Sequence, residues 1–187
     1  MADERTKKKN QKGETRQLLL AAAVAEFSAP GYAGTDTNKI ARRAGFAPQT
    51  FYRWFKDKRE IFLAVYQQWE EEEAALLTEL ARQGAPAARL VEALIDHHKN
   101  HRNFRRALRQ LSLEDDHVRR ARAESRRRQL MRIGGKQTNA TKLEKLAVAL
   151  LEIERLSDAI AEGELDDLGV GAGACLEELE RLIESME

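Results

Sequence analysis

At 187 residues and 21.2 kDa the chain has room for one or two small domains, and 42% hydrophobic with 34% charged residues suits a folded protein with a heavily charged surface. The lone Cys175 excludes an intrachain disulfide and a multi-thiolate zinc cluster. The charged start MADERTKKKN is no secretory signal, and no long uncharged apolar stretch offers a membrane span, so a cytoplasmic location is expected.

The net charge of +1 conceals strong segregation. Lys+Arg minus Asp+Glu comes to +6 over residues 1–60, −5 over 61–97, +9 over 98–136 and −9 over 137–187. Such asymmetry suggests that one end meets a polyanion and another does not.

Residues 1–13 are polar and Lys-rich, and a disordered basic tail is expected there. A first helix is predicted from Thr15 to Ser28, with Leu19, Ala22, Ala23 and Phe27 on one face. Pro30-Gly31 stops it. Thr35 is expected to cap a second helix reaching Ala44, with Asp36 in its first turn and Ile40, Ala41 and Ala44 buried. Gly45 breaks that helix, and Pro48 opens a third, predicted to Phe55. Asp57 with Glu60 reads as a capping-box variant for a fourth helix, which carries Ile61, Val65, Trp69, Leu76 and Leu80 on one side.

After the Gly84-Ala85-Pro86 break, helices are predicted near 86–101, 103–112, 115–133, 139–162 and 172–186. Alternating strand patterns are missing, so the fold class is all-α. In the last two helices Leu143, Leu146, Leu150, Ile153 and Ile160, then Leu176, Leu179, Ile183 and Met186, recur every three or four residues. That is the pattern of a helix-bundle seam.

Two short helices separated by Gly45-Phe46 form a helix-turn-helix pattern, a weak signal by itself. Here the third helix presents Gln49, Thr50, Tyr52 and Arg53 outward, while Phe51 and Phe55 can anchor it inside. Arg and Gln pair with guanine and adenine edges. Hydroxyls and ammonium groups suit phosphate oxygens, and Lys56 and Lys58 follow at once.

Residues 15–66 resemble the TetR family of bacterial transcriptional regulators. The string that carries the resemblance is Arg16, Leu19, Leu20, Ala22, Ala23, Phe27, Gly31, Tyr32, Thr35, Ile40, Ala41, Ala44, Gly45, Thr50, Tyr52, Phe55, Lys58 and Glu60. The resemblance implies an N-terminal three-helix DNA-binding domain, over 14–60, and a helical effector-binding and dimerisation domain, over 61–187. It puts Thr35, Thr37, Tyr52 and Lys58 at phosphate-facing positions and Gln49, Thr50 and Arg53 on the recognition helix; Pro48 and Lys56 flank them. It places dimerisation on the last two long helices, where the seam supplies Leu143, Leu146, Leu150, Ile153, Leu176, Leu179 and Ile183. Ala47 departs from the family, which usually has a Ser cap there, and Phe46 replaces a smaller aliphatic residue.

The expected function is that of a sequence-specific regulator, a ligand-responsive repressor acting as a homodimer on a palindromic DNA operator. An effector-independent DNA-organising protein is the alternative. An enzyme is not expected, since no phosphate loop, activated thiol or nucleophile elbow occurs. No cofactor or metal is expected: His97 and His101 share a helix face but lack a further ligand. A small-molecule effector is expected in a mostly aliphatic pocket near Trp69, His97, His101 and Phe104. The Glu70–Glu73 run reads as a solvated helix face, the Arg119–Arg128 stretch as surface salt bridges to acidic segments, and Cys175 as a small packed residue.

Overall fold

The computed structural model describes residues 2–135 and 138–186, and of residues 2–12 the backbone alone. Ten helices and no strand occur among the described residues. They divide into two compact units, one ending at Gln68 and the other beginning at Trp69, later than the boundary at 60 expected from sequence.

The N-terminal unit holds α1 (Ala2–Ser28), α2 (Thr37–Arg43), α3 (Pro48–Phe51) and the start of α4 (Lys58–Arg82). Helical backbone continues through residues 2–13, where a disordered tail was expected; the side chains of Lys7, Lys8, Lys9 and Lys12 lie outside the described residues. The predicted face of α1 is the observed one. Leu19, Ala23 and Phe27 are fully buried with Ile40, Ala41, Phe51, Ile61 and Phe62. Phe27 meets Phe62 edge-on, and Phe62 meets Tyr32 likewise, so three rings lock the turn after α1 onto α4.

Asp36, not Thr35, is the N-cap of α2; its Oδ1 accepts from the Lys39 N–H at 2.8 Å. Asp36 occupies the position from which its carboxylate reaches the orphan amide, and Thr35, one residue earlier, turns inward. Gly45, at φ +80°, makes the turn between α2 and α3. Residues 52–54 tighten into turns through the Arg53 N–H to Thr50 carbonyl and Trp54 N–H to Phe51 carbonyl bonds, so α3 is one turn long rather than the predicted Pro48–Phe55. The capping box of α4 is present in shifted form. Asp57 Oδ1 accepts from the Glu60 N–H at 2.8 Å, and the Glu60 carboxylate accepts from the Lys56 N–H.

The C-terminal unit contains the remainder of α4 with α5 (Ala87–Asn100), α6 (Arg102–Glu114), α7 (Asp116–Gly134), α8 (Ala140–Glu162), α9 (Glu164–Asp167) and α10 (Gly173–Glu184). Asp115 caps α7 and Asn139 caps α8, and Gly163 ends α8 at φ +79°. The short α9, unexpected from sequence, occupies part of the acidic connection to α10. Val91, Leu94 and Ile95 of α5 pack with Ala149 and Ile153 of α8 and Leu179 and Leu182 of α10. Each buried aliphatic side chain of this kind contributes about 1.5–3 kcal/mol.

That core reassigns the apolar seam. Leu146, Leu150, Ile153 and Leu179 are buried within this chain, and Leu176 and Ile183 pack against the same core. The apolar residues that α8 leaves outside are Val148, 55% exposed, and Leu151, 48% exposed.

Candidate nucleic-acid interface and C-terminal cavity

In the N-terminal unit, Pro48 starts α3 without a side-chain cap, because Ala47 has no acceptor to offer. Phe51 and Phe55 are buried, at 0% and 3% exposure, and turn the helix so that Gln49, Tyr52 and Arg53 face outward. Thr50 and Pro48 are half-buried, and Lys56 is exposed just beyond. The hydroxyls of Tyr52 and Thr37 lie 3.0 Å apart, which ties α3 to the first residue of α2. Exposed Asn38, Lys39 and Arg42 on α2 add donors that had not been singled out from sequence.

Two expected phosphate contacts have other work. Thr35 is 4% exposed, and its hydroxyl donates to Glu26 Oε2 at 2.5 Å. Arg43 Nε donates to the other Glu26 oxygen at 2.6 Å. The Thr35 hydrogen bond, then the Arg43 contact, holds the Glu26 carboxyl below its usual range. Lys58 Nζ donates to the carbonyls of Tyr32 at 2.8 Å and Thr35 at 3.0 Å and lies 4.1 Å from the centre of the Tyr32 ring. Burial pushes its pKa down. Both residues brace the loop that enters α2.

The C-terminal unit contains a cavity of about 300 Å³. Its wall is largely aliphatic, with Leu77, Leu90, Leu94, Leu150, Ile153, Ile183 and Met186 drawn from α4, α5, α8 and the end of α10. Glu70, Glu73, His98, Glu154, Gln129 and Arg132 supply polar groups. The aliphatic character matches expectation, but none of Trp69, His97, His101 and Phe104 lines the cavity. Trp69 and Phe104 are packed at 4% and 1% exposure. His97 stacks on Trp69 with ring centres 5.0 Å apart, and His101 Nδ1 lies 3.0 Å from the His97 carbonyl oxygen. The histidine between them faces the cavity instead.

A buried ionic network backs this wall. His98 Nδ1 is 2.9 Å from Asp158 Oδ1, and its Nε2 is 3.2 Å from Glu73 Oε2. Ionised carboxylates only accept, so His98 must donate from both nitrogens and is an imidazolium. Burial opposes that charge, but the bonds to Asp158 and then Glu73 outweigh it and raise the His98 pKa. Arg105, 1% exposed, donates to both Asp158 oxygens at 3.0 and 3.1 Å, with its guanidinium 4.6 Å from the Trp69 ring centre. Burial alone would raise the Asp158 pKa; His98 and Arg105 drive it far down. Arg109 bridges Asp158 and Glu162. Arg122 and Arg126 hold Glu154, and Arg128 holds Glu70. The Arg119–Arg128 stretch thus forms the expected salt bridges, partly buried ones.

Glu70 corrects the picture of a solvated acidic run. It is 3% exposed, whereas Glu71 and Glu72 face outward. The run of four identical residues hides a helical face that turns Glu70, and three residues on the partly buried Glu73, inward.

Residues 19–65 match the model of bacterial regulatory proteins of the TetR family. The whole-chain fold is similar to a TetR-family transcriptional regulator from Rhodococcus sp., at 18% identity, 93% coverage of this chain, 98% of that one and a TM-score of 0.67. It is also similar to the fatty acid degradation regulator FadR from Bacillus halodurans, at 16% identity, 89% and 93% coverage and a TM-score of 0.58. FadR from Bacillus subtilis, described in complex with stearoyl-CoA, matches at 16% identity, 91% and 98% coverage and a TM-score of 0.51. No helix among the described residues is long and apolar enough to cross a membrane. The helix-turn-helix thus lies within a stretch that matches the TetR family of bacterial regulatory proteins, and an all-helical unit follows it.

Proposed function

We propose that the chain is a ligand-responsive transcriptional repressor that binds a palindromic operator as a homodimer. The observation that carries this reading is the outward set Gln49, Tyr52, Arg53 and Lys56 on α3 and the turns that follow it, a segment anchored by Phe51 and Phe55. Gln49 and Arg53 read base edges in the major groove, while Thr37, Thr50, Tyr52 and Lys56 bind the backbone. Thr35 and Lys58 support these contacts by holding the entry to α2. Two copies would engage half-sites about one helical turn, ~34–36 Å, apart. Bringing the copies together falls to the outer face of α8 and α10, where Val148 and Leu151 are exposed. A Leu151→Glu variant is expected to sediment as a monomer and to lose operator affinity.

The cavity favours a ligand-responsive regulator over an effector-independent DNA organiser. The aliphatic wall suits an effector with a hydrocarbon body. Because α4 is continuous from Lys58 to Arg82, its second half contributes cavity wall and its first half closes the head. An effector that displaces α4 would weaken DNA binding, and operator and effector would oppose each other by about 1–3 kcal/mol. Selection of fragments from random DNA, repeated with metabolite fractions, tests both halves. Recovery of one palindromic consensus, released by a fraction, is the expected result; recovery of unrelated fragments would overturn the reading.

A further inference from the structure

We propose that the effector cavity takes an aliphatic amine, its chain against the Leu and Ile wall and its ammonium on Glu70 Oε1. This rests on the cavity's being the effector site. Three carboxylates line the cavity, and two are committed: Glu154 to Arg122 and Arg126, and Glu73 to His98. Glu70 is different. Its Oε2 accepts from Arg128 Nη2 at 2.9 Å, but its Oε1, also buried, accepts no hydrogen bond among the described residues. Arg132 Nη2 stands 3.9 Å away, beyond bonding distance.

A charged oxygen taken out of water without a donor is costly, so this atom demands a partner more than any other in the wall. Arg132 is no equivalent demand in the opposite sense, because its side chain is 49% exposed and water serves it. His98 has both nitrogens engaged. The cavity therefore offers a buried acceptor and no free buried donor. An ammonium donates three hydrogen bonds and accepts none, whereas a carboxylate or phosphate head would meet three carboxylates at close range. No Phe, Tyr or Trp lines the cavity, and the His98 ring is itself cationic, so a planar cation held by stacking does not fit, and a hydrocarbon tail does. The ammonium would compete with the α7 arginines for a carboxylate carried on α4, which links occupancy to that helix.

The experiment titrates the full-length protein calorimetrically with octylamine, 1-octanol, octanoate and octanoyl-coenzyme A. Octylamine is expected to bind most tightly, and Glu70→Gln to weaken it by about tenfold, the worth of one hydrogen bond to a charged group, while octanol binding is unchanged. Arg132→Gln, which removes the cation standing 3.9 Å from Glu70 Oε1, is expected to tighten octylamine binding, so the proposal is testable even if Glu70→Gln fails to fold. Tighter binding of octanoate or its thioester than of the amine would overturn the amine assignment and leave the cavity as an effector site. Binding by none of the four would overturn both.

Discussion

His98 sits between two carboxylates and behind an apolar wall, and its charge follows from what surrounds it. Replacing Asp158 by Asn would strand Arg105, which is buried and has both its bonds to that carboxylate. A loss of about 3–5 kcal/mol is expected in denaturant unfolding, the usual cost of removing one partner of a buried pair. His98 also sets a pH dependence. Its pKa is raised on folding above the ordinary 6.5, so its contribution to stability is complete below that value and is lost as pH rises through the folded pKa. Melting temperatures measured across neutral and mildly alkaline pH should fall, and His98→Gln should flatten that fall. Thr35 offers a contrast in the head: Thr35→Val leaves Glu26 short of a donor and is expected to cost about 1–3 kcal/mol in stability, without changing the salt dependence of DNA binding.

At the level of elements, most helices were legible because apolar spacing and punctuation agreed. Pro30-Gly31, Gly45, Pro48 and Gly84-Ala85-Pro86 all bound elements near where they were expected. The misses have physical causes. Threonine and aspartate both cap helices, and only geometry decided for Asp36. The third helix lost its second turn to tighter turns at residues 52–54, which propensity does not distinguish from α-helix. Its missing cap is also a handle. Ala47 already has the extended backbone of a capping residue, at φ −66° and ψ 148°, so Ala47→Ser should stabilise the unit by about 0.5–2 kcal/mol. The seam of α8 and α10 misled because an intrachain core and a dimer interface share one apolar period. The cavity was out of reach for another reason. Its lining comes from five helices spread between Glu70 and Met186, whereas proximity in sequence singled out Trp69, His97, His101 and Phe104.

Across the whole molecule, the charge segregation resolves into two different arrangements. The basic 98–136 segment spends Arg105, Arg109, Arg122 and Arg126 on Glu154, Asp158 and Glu162 of the acidic C-terminal segment, and Arg128 on Glu70. These two large excesses, +9 and −9, therefore meet largely within the C-terminal unit. The +6 of residues 1–60 has no such counterweight in its own segment, and its exposed members include Arg53 and Lys56. That is the charge left for phosphate.

The most direct test of DNA reading by α3 is the affinity of the intact protein and of Arg53→Ala for the selected operator and for operators changed one base pair at a time, over a range of salt. The account predicts that Arg53→Ala costs about 1–3 kcal/mol and relaxes preference at one base pair. Lys56→Ala should weaken all sequences alike and lower the salt slope by about one. If Arg53→Ala keeps both the affinity and the base preferences of the intact protein, α3 does not read the operator and the account is contradicted.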